Sequence, residues 1–241
     1  MIAVLSVEVR KLNRSLALLL AVAAPMLIAV FAFAMLLRSG KASEWDMWFG
    51  SGIGIWAYFM LPMSVTALTA LVAHMEHGPR SWDHLRALPV PRWTLYASKA
   101  VCVIGLVGLM GLAVLVLTVG AVVLGGLIKP QVAATGALDL AAHARTLALM
   151  TAAATLMIAV QFWTAMRFAS FVPGLVLGIG GTFFAVVATA AKQGVFMPWQ
   201  IPVNILAQEA WRAQTALMLG GGLGLVVLAA VVVHLARREV G

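Results

Sequence analysis

Residues 100–128 read AVCVIGLVGLMGLAVLVLTVGAVVLGGLI, a run of 29 residues without Asp, Glu, Lys, Arg or His. A helix of about 20 apolar residues is long enough to cross a hydrocarbon core of about 30 Å. A water-exposed helix would place charged residues on one face, and this run has none. The stretch therefore predicts a membrane-spanning helix.

The composition extends this prediction to the whole chain of 241 residues, of which 63% are hydrophobic and 10% charged. Soluble domains are typically about half apolar and a quarter charged. Five more long gaps separate successive charged residues, and each can hold a span. We expect an all-α integral membrane protein with a single transmembrane domain over residues 1–241. Its six spans are predicted at about residues 16–37, 49–73, 97–127, 146–166, 169–191 and 214–236.

Residues 1–14 precede the first predicted span and have their own pattern. Ile2, Leu5, Val9 and Leu12 recur at helical spacing and share one face. This pattern favours an amphipathic helix at the cytoplasmic interface. The alternative is a plain cytoplasmic extension of the first span.

The distribution of Lys and Arg predicts the orientation. With the N-terminus in the cytoplasm, ten of the 16 Lys and Arg residues fall on the cytoplasmic side. We therefore expect a multi-pass protein of the cytoplasmic (inner) membrane with both termini inside. The net charge of +8 reflects this topology, and nothing in the sequence points to nucleic acid as a partner.

A polar loop interrupts the apolar chain at residues 74–93, which read HMEHGPRSWDHLRALPVPRW. Ser81 is a suitable N-cap, and Trp82, Leu85 and Leu88 recur every three residues. Pro89 ends the pattern. A helix of two turns is not stable in water by itself, so we expect this one to pack against span ends or a partner protein.

The loop and the start of the next predicted span contain the pattern Glu76-x-Gly78, Leu85-x-x-Leu88-Pro89-Val90-x-Arg92 and Lys99. With this pattern the loop resembles that of ABC-2 type transporter permeases. In that family the loop joins spans 2 and 3 and forms a coupling helix that docks onto a separate ATPase subunit. One departure is Pro79, where the family usually has a polar residue. The resemblance implies a docking role for nine residues: Glu76, Gly78, Arg80, Trp82, Asp83, Leu85, Arg86, Pro89 and Arg92.

A second polar interruption precedes the last predicted span. Two prolines disfavour a continuous helix, so we expect an outer re-entrant or interfacial element over residues 198–211, with Pro198, Trp199 and Pro202 in it. Residues 197–202 are similar to the outer loop of bacteriocin- and lantibiotic-immunity permeases. Four tryptophans near the outer span ends fit an aromatic belt: Trp45, Trp48, Trp199 and Trp211.

Other functions fit the sequence less well. His74, His77 and His84 with Glu76 suggest a membrane metalloenzyme, but the pattern is not H-E-x-x-H, and we predict no metal site. A secondary transporter or channel is a further alternative, although the predicted span centres lack the charged residues that ion-coupled carriers use. No catalytic residues are predicted, so we expect a transport subunit and not an enzyme.

The resemblance implies a complete transporter made of several chains. The Gly-Lys pair at residues 40–41 lacks the phosphate-binding frame, so ATP and Mg²⁺ should bind to the partner ATPase. A second permease chain should pair with this one, as a homodimer or heterodimer. The expected activity is export of an amphipathic peptide, a lipid or a hydrophobic toxin. Candidate residues along the substrate path are Phe59, Met63, Gln161 and Trp163.

Overall fold

A computed structural model describes residues 1–77, 89–189 and 191–237. Of these described residues 84% are helical, and none lies in a strand. The main helices are α1 (Ile2–Leu12), α2 (Leu16–Arg38), α3 (Trp45–His77), α4 (Arg92–Ile128), α5 (Leu140–Ala153), α6 (Thr155–Arg167), α7 (Val172–Ala188) and α8 (Ala210–Arg237). Short 3₁₀ turns cover Pro130–Val132, Lys192–Phe196 and Ile201–Leu206.

Four of these helices, α2, α3, α4 and α8, are long and apolar enough to cross a membrane. They correspond to the predicted first, second, third and sixth spans, although α3 and α4 extend several residues beyond the predicted ends. The protein is thus a multi-pass membrane protein, as expected.

The predicted fourth and fifth spans look different in the structure. The region of residues 146–166 consists of α5 and α6, which meet at Ala154 with a bend of 44° and form a fifth candidate span only when taken together. Helix α7 has 17 residues, about 26 Å of helix at the standard rise, which is short for a bilayer core. The described residues therefore contain four candidate spans, or five with the bent pair.

Helix α3 contains a widened turn in its middle. Trp56–Met60 form a π-helical turn, and the N–H of Leu61 bonds to the carbonyl of Trp56 five residues earlier. Pro62 follows directly, and a proline ring in a regular helix would clash with the carbonyl four residues before it. The wider turn relieves this clash and keeps α3 continuous.

Helix α8 packs closely against the junction of α5 and α6. A Cβ on Gly220 would overlap the carbonyl oxygen of Ala153, and a Cβ on Gly224 would lie 2.5 Å from the backbone nitrogen of Leu156. Two backbones can approach this closely only where a side chain is missing. These two glycines, four residues apart, thus allow α8 to contact the backbone on both sides of the bend at Ala154.

The ends of α2 and α4 are joined away from the α3–α4 loop. The Lys129 ammonium donates to the carbonyls of Leu37 (3.0 Å) and Ser39 (2.8 Å). A pair of backbone hydrogen bonds links the neighbouring segments, since Trp45 N–H donates to Thr135 O and Thr135 N–H donates to Ser43 O. The Lys129 ammonium thus satisfies free carbonyls at the end of α2, and the backbone pair satisfies the free N–H of Trp45 at the start of α3.

The close contact of α8 gives a direct prediction. Gly220→Ala should lower the melting temperature in detergent by roughly 2–10 °C, because the added methyl overlaps a backbone oxygen that cannot rotate away. Gly222→Ala is the matched control in the same π-helical turn, since the new methyl would lie 4.0 Å from its nearest neighbour, the Leu217 carbonyl oxygen. Equal melting temperatures for the two variants would contradict the packing described for α8.

Candidate functional site

Four charged side chains from three helices meet at the base of the α3–α4 loop (residues 78–91). We call them the Glu–Lys cluster: Glu8 and Lys11 from α1, Glu76 from the last turn of α3, and Lys99 from the start of α4. Glu76 lies just before the loop, and Lys99, the eighth residue of α4, lies about two helical turns after it. The cluster therefore joins both ends of the loop to the N-terminal helix.

The geometry is that of a closed ring of ion pairs. The Lys99 Nζ lies 2.6 Å from Glu76 Oε1 and 2.7 Å from Glu8 Oε2. The Lys11 Nζ lies 2.7 Å from Glu76 Oε1 and 3.2 Å from Glu8 Oε1. Each lysine thus bridges both carboxylates, and the four formal charges cancel. Short distances of this kind are typical of charge-assisted hydrogen bonds.

Burial makes the cluster sensitive to the loss of any member. Lys99 is 0% exposed and Glu76 1% exposed, while Lys11 reaches the surface. An unpaired charge in such a place is strongly destabilising, whereas a neutral and fully bonded set is tolerated. The cluster can therefore fix the relative positions of α1, α3 and α4.

Lys11 remains charged over the physiological pH range. Burial alone would lower the pKa of Lys11, but the hydrogen bond to Glu76 and the charges of Glu8 and Glu76 outweigh that effect and raise this pKa above its ordinary value. The stabilisation that Lys11 gives is thus complete at neutral pH and is lost only as the pH rises past the raised pKa.

Glu8 and Lys11 were not among the predicted site residues, although the sequence holds a signal for Glu8. Its position falls three residues after Leu5 and four before Leu12, on the same helical face. An acid on an apolar face requires a cationic partner when that face packs. The structure buries Glu8 and Leu12 and leaves Ile2 and Val9 exposed, so the packed face is narrower than the predicted one.

The nine predicted docking residues fall into three groups. Glu76 points into the bundle and belongs to the Glu–Lys cluster, while Pro89 and Arg92 are exposed where α4 begins. Trp93, which the sequence did not single out, is 48% exposed beside them. The remaining six lie outside the described residues: Gly78, Arg80, Trp82, Asp83, Leu85 and Arg86. Their docking role remains a prediction.

The four candidate path residues have different surroundings. Gln161 is fully buried, and its amide contacts Thr66 Oγ1 (3.2 Å), Gly174 O (3.2 Å) and Gly178 N (3.0 Å). This contact set joins α3, α6 and α7 and leaves little of the amide for a substrate. Phe59 and Trp163 are partly exposed, Trp163 packs edge-on against Phe168, and Met63 is half-buried.

Part of the segment before α8, for which the sequence predicts an outer re-entrant or interfacial element, is packed against the helices. Trp199 and Pro202 are buried, Pro198 is half-buried, and Ile201–Leu206 form a 3₁₀ turn within the packed interior. The ring of Trp199 occupies the space beside Gly181, where a Cβ would lie 2.5 Å from it. Trp48 is buried as well. The aromatic-belt prediction is thus wrong for Trp48 and Trp199, because both rings fill space between helices.

The histidines that suggested a metal site do not converge in the described part of the chain. His77 Nε2 lies 3.3 Å from the Ala165 carbonyl, and His84 lies outside the described residues. Over residues 1–77, 89–189 and 191–237, no group of three or more His, Cys, Asp or Glu is placed to hold a metal ion.

Comparison with known protein families identifies the chain. Residues 4–189 match the sequence model of the family described as ABC-2 family transporter protein. The chain belongs to this family. Members of this ABC-2 permease family are membrane transport subunits that are not themselves catalytic, and they generally work with an ABC ATPase partner. No curated protein and no solved structure matches the chain. All four cluster residues lie within the matched part of this ABC-2 family member.

The ring of ion pairs predicts strong coupling between Lys99 and Glu8. Lys99→Met should destabilise the protein by about 3–5 kcal/mol, because two buried carboxylates then share only Lys11. Adding Glu8→Gln should recover part of this loss, since Lys11 and Glu76 remain as a balanced pair at 2.7 Å. Thermal unfolding in detergent of the two single variants and the double variant forms a double-mutant cycle. Additive losses would show that the two residues do not interact.

Proposed function

We propose that the chain is the permease subunit of an ATP-driven exporter and that the α3–α4 loop docks onto a separate ATPase chain. The observation that carries this proposal is the placement of the Glu–Lys cluster at both ends of that loop. If only one end of the loop were anchored, a movement of the docked ATPase would displace only one helix. Because both flanking helices share a buried ring of charges, the same movement displaces α3 and α4 together.

The electrostatics of the cluster support such rigid transmission. Separating Lys99 from either carboxylate would leave a buried charge without its partner, which costs several kcal/mol. Small displacements of the loop are therefore more easily accommodated by moving α1, α3 and α4 as a unit than by opening the ring. Conformational changes in transporters require rigid elements of this kind.

The exposed residues beside the loop supply part of the docking surface. Trp93 and Arg92 are exposed at the start of α4, and tryptophan and arginine are the residues most often found to dominate protein interfaces. Together with Trp82 and Leu85 they form the proposed contact with the ATPase, which binds ATP and Mg²⁺. A second permease chain, identical or different, completes the proposed transporter.

The proposed cargo is an amphipathic peptide, a lipid or a hydrophobic toxin. Phe59 and Trp163 are 40% and 36% exposed on helices of the membrane region, so a cargo entering sideways from the bilayer would contact apolar and aromatic side chains. The proposed location is the cytoplasmic membrane, with both termini and the α3–α4 loop on the cytoplasmic side.

The docking proposal is tested with a loop variant. Trp82→Ala with Leu85→Ala should leave the chain folded in the membrane and reduce co-purification of the ATPase at least about tenfold, as expected for the loss of two interface anchors. The tagged chain is purified from its native cell, and mass spectrometry identifies co-purifying proteins that carry G-x-x-x-x-G-K-[ST].

The matched control changes the same two residue types elsewhere. Trp211→Ala with Leu206→Ala alters exposed residues before and at the start of α8, which the proposed topology places on the opposite side of the membrane. This control should retain the ATPase. Retention of the ATPase by both double variants, or the absence of any such ATPase, would refute the proposed coupling.

The proposed six-span arrangement makes a separate prediction about sidedness. In a Cys102→Ala background, single cysteines at Ala137, Ser170 and Gln208, all exposed positions, should be labelled from outside, inside and outside respectively. A membrane-impermeant maleimide applied to intact cells and to inverted vesicles measures this. If Ser170→Cys is labelled from the same side as Ala137→Cys, the bent pair α5–α6 does not cross the membrane.

A further inference from the structure

A deep groove runs between α2 and α3, on the side of the bundle away from the α3–α4 loop. Its volume is about 420 Å³, within the range of about 300–1,000 Å³ that is usual for small-molecule sites. Ile28, Phe31 and Met35 of α2 form one wall, and Trp48 and Ile55 of α3 form the other. Both helices are candidate spans, so the groove is open to molecules from the bilayer.

One end of the groove is polar and cationic. Arg38, Ser39 and Ser43 line it, and they follow the last apolar turn of α2, where the chain reaches the membrane surface. Arg38 is exposed and makes no ion pair within the described residues. The Lys129 ammonium lies beside it, bound to the carbonyls of Leu37 and Ser39.

Acidic residues are present nearby but do not neutralise Arg38. Glu44 and Asp46 are exposed at the start of α3, and the Asp46 carboxylate lies 3.4 Å from the His143 ring. The two acids do not line the groove. An anion at the end of the groove would thus meet the Arg38 guanidinium directly, with the hydroxyl of Ser43 as a further hydrogen-bond donor. The Ser39 hydroxyl already donates to the Lys41 carbonyl at 2.6 Å.

The wall of the groove also contains an unsatisfied donor. Trp48 is 5% exposed, and its indole nitrogen has no hydrogen-bond partner among the described residues. An unpaired buried donor is unfavourable by about 1–3 kcal/mol. The nitrogen itself is buried, so a lipid oxygen in the groove can accept from it only if the indole ring turns toward the groove.

We propose that the groove binds one phospholipid with an anionic headgroup. The acyl chain lies between α2 and α3 against Phe31, Met35 and Ile55, and the phosphate lies at Arg38. The combination of a long apolar wall with a cationic, hydroxyl-lined end at the membrane surface matches an amphiphile of this charge. A second protein helix would fill the apolar wall but would leave Arg38 without an anion.

The test measures lipid retention by native mass spectrometry of the full chain in detergent. The probes are phosphatidylglycerol and phosphatidylcholine with identical acyl chains. The wild-type chain should retain one phosphatidylglycerol and prefer it over phosphatidylcholine. Arg38→Gln should reduce this preference at least about tenfold, as expected for the loss of a charge-assisted hydrogen bond. Ser51→Trp, which places a large ring in the groove, should reduce retention of both lipids.

A control variant distinguishes loss of the Arg38 contact from a general loss of positive charge. Arg145→Gln removes an exposed arginine on α5, outside the groove, and should retain phosphatidylglycerol like the wild type. Thermal unfolding before lipid addition shows whether each variant is folded. If Ser51→Trp is not folded, the result for Arg38→Gln alone tests the proposal. Equal retention of the two lipids by the wild type, an unchanged preference in Arg38→Gln, or a changed oligomeric state of Ser51→Trp without lipid loss would each overturn the proposal.

Discussion

The structure depends on the burial of one ammonium group, that of Lys99. A lone ammonium group in a low-dielectric interior is too unfavourable to persist, so carboxylates must reach it. Glu76 arrives from the end of α3 and Glu8 from α1, at 2.6 and 2.7 Å. This single requirement determines how three helices meet, and Lys11 then balances the charge that the second carboxylate brings.

The same constraint ties α1 to the two helices that flank the α3–α4 loop. Its exposed residues, Ile2 and Val9, are suited to contact with lipid, while Glu8 and Lys11 hold it to the ends of α3 and α4. A movement of the α3–α4 loop is thereby linked to a helix lying outside the spans. Coupling of this kind requires a connected set of contacts, and the cluster provides it.

Much of the fold follows from long uncharged runs, and the four longest helices were predicted from them. The break at Ala154 was not, because residues 146–166 contain neither proline nor glycine, and the helix that packs against the break, through Gly220 and Gly224, lies more than sixty residues further along the chain. The predicted positions of Trp48 and Trp199 in an aromatic belt were wrong because that prediction uses only the distance of a residue from the end of a span. It contains no information on which face of the helix packs against its neighbours. Within the cluster, the loop motif indicated Glu76 and Lys99, while Glu8 could have been recognised as an acid on an apolar face.

The loop motif divides into parts with different physical roles. Its first and last residues, Glu76 and Lys99, face inward and bond to each other at 2.6 Å, so neither is available to a partner protein. Arg92, between them in sequence, is exposed. Substitutions at the ends should therefore act on the stability of the bundle, and substitutions in between on the partner contact. In the proposed docking mode, such a motif ties the helices on both sides of the loop to each other, whatever sequence the middle of the loop carries.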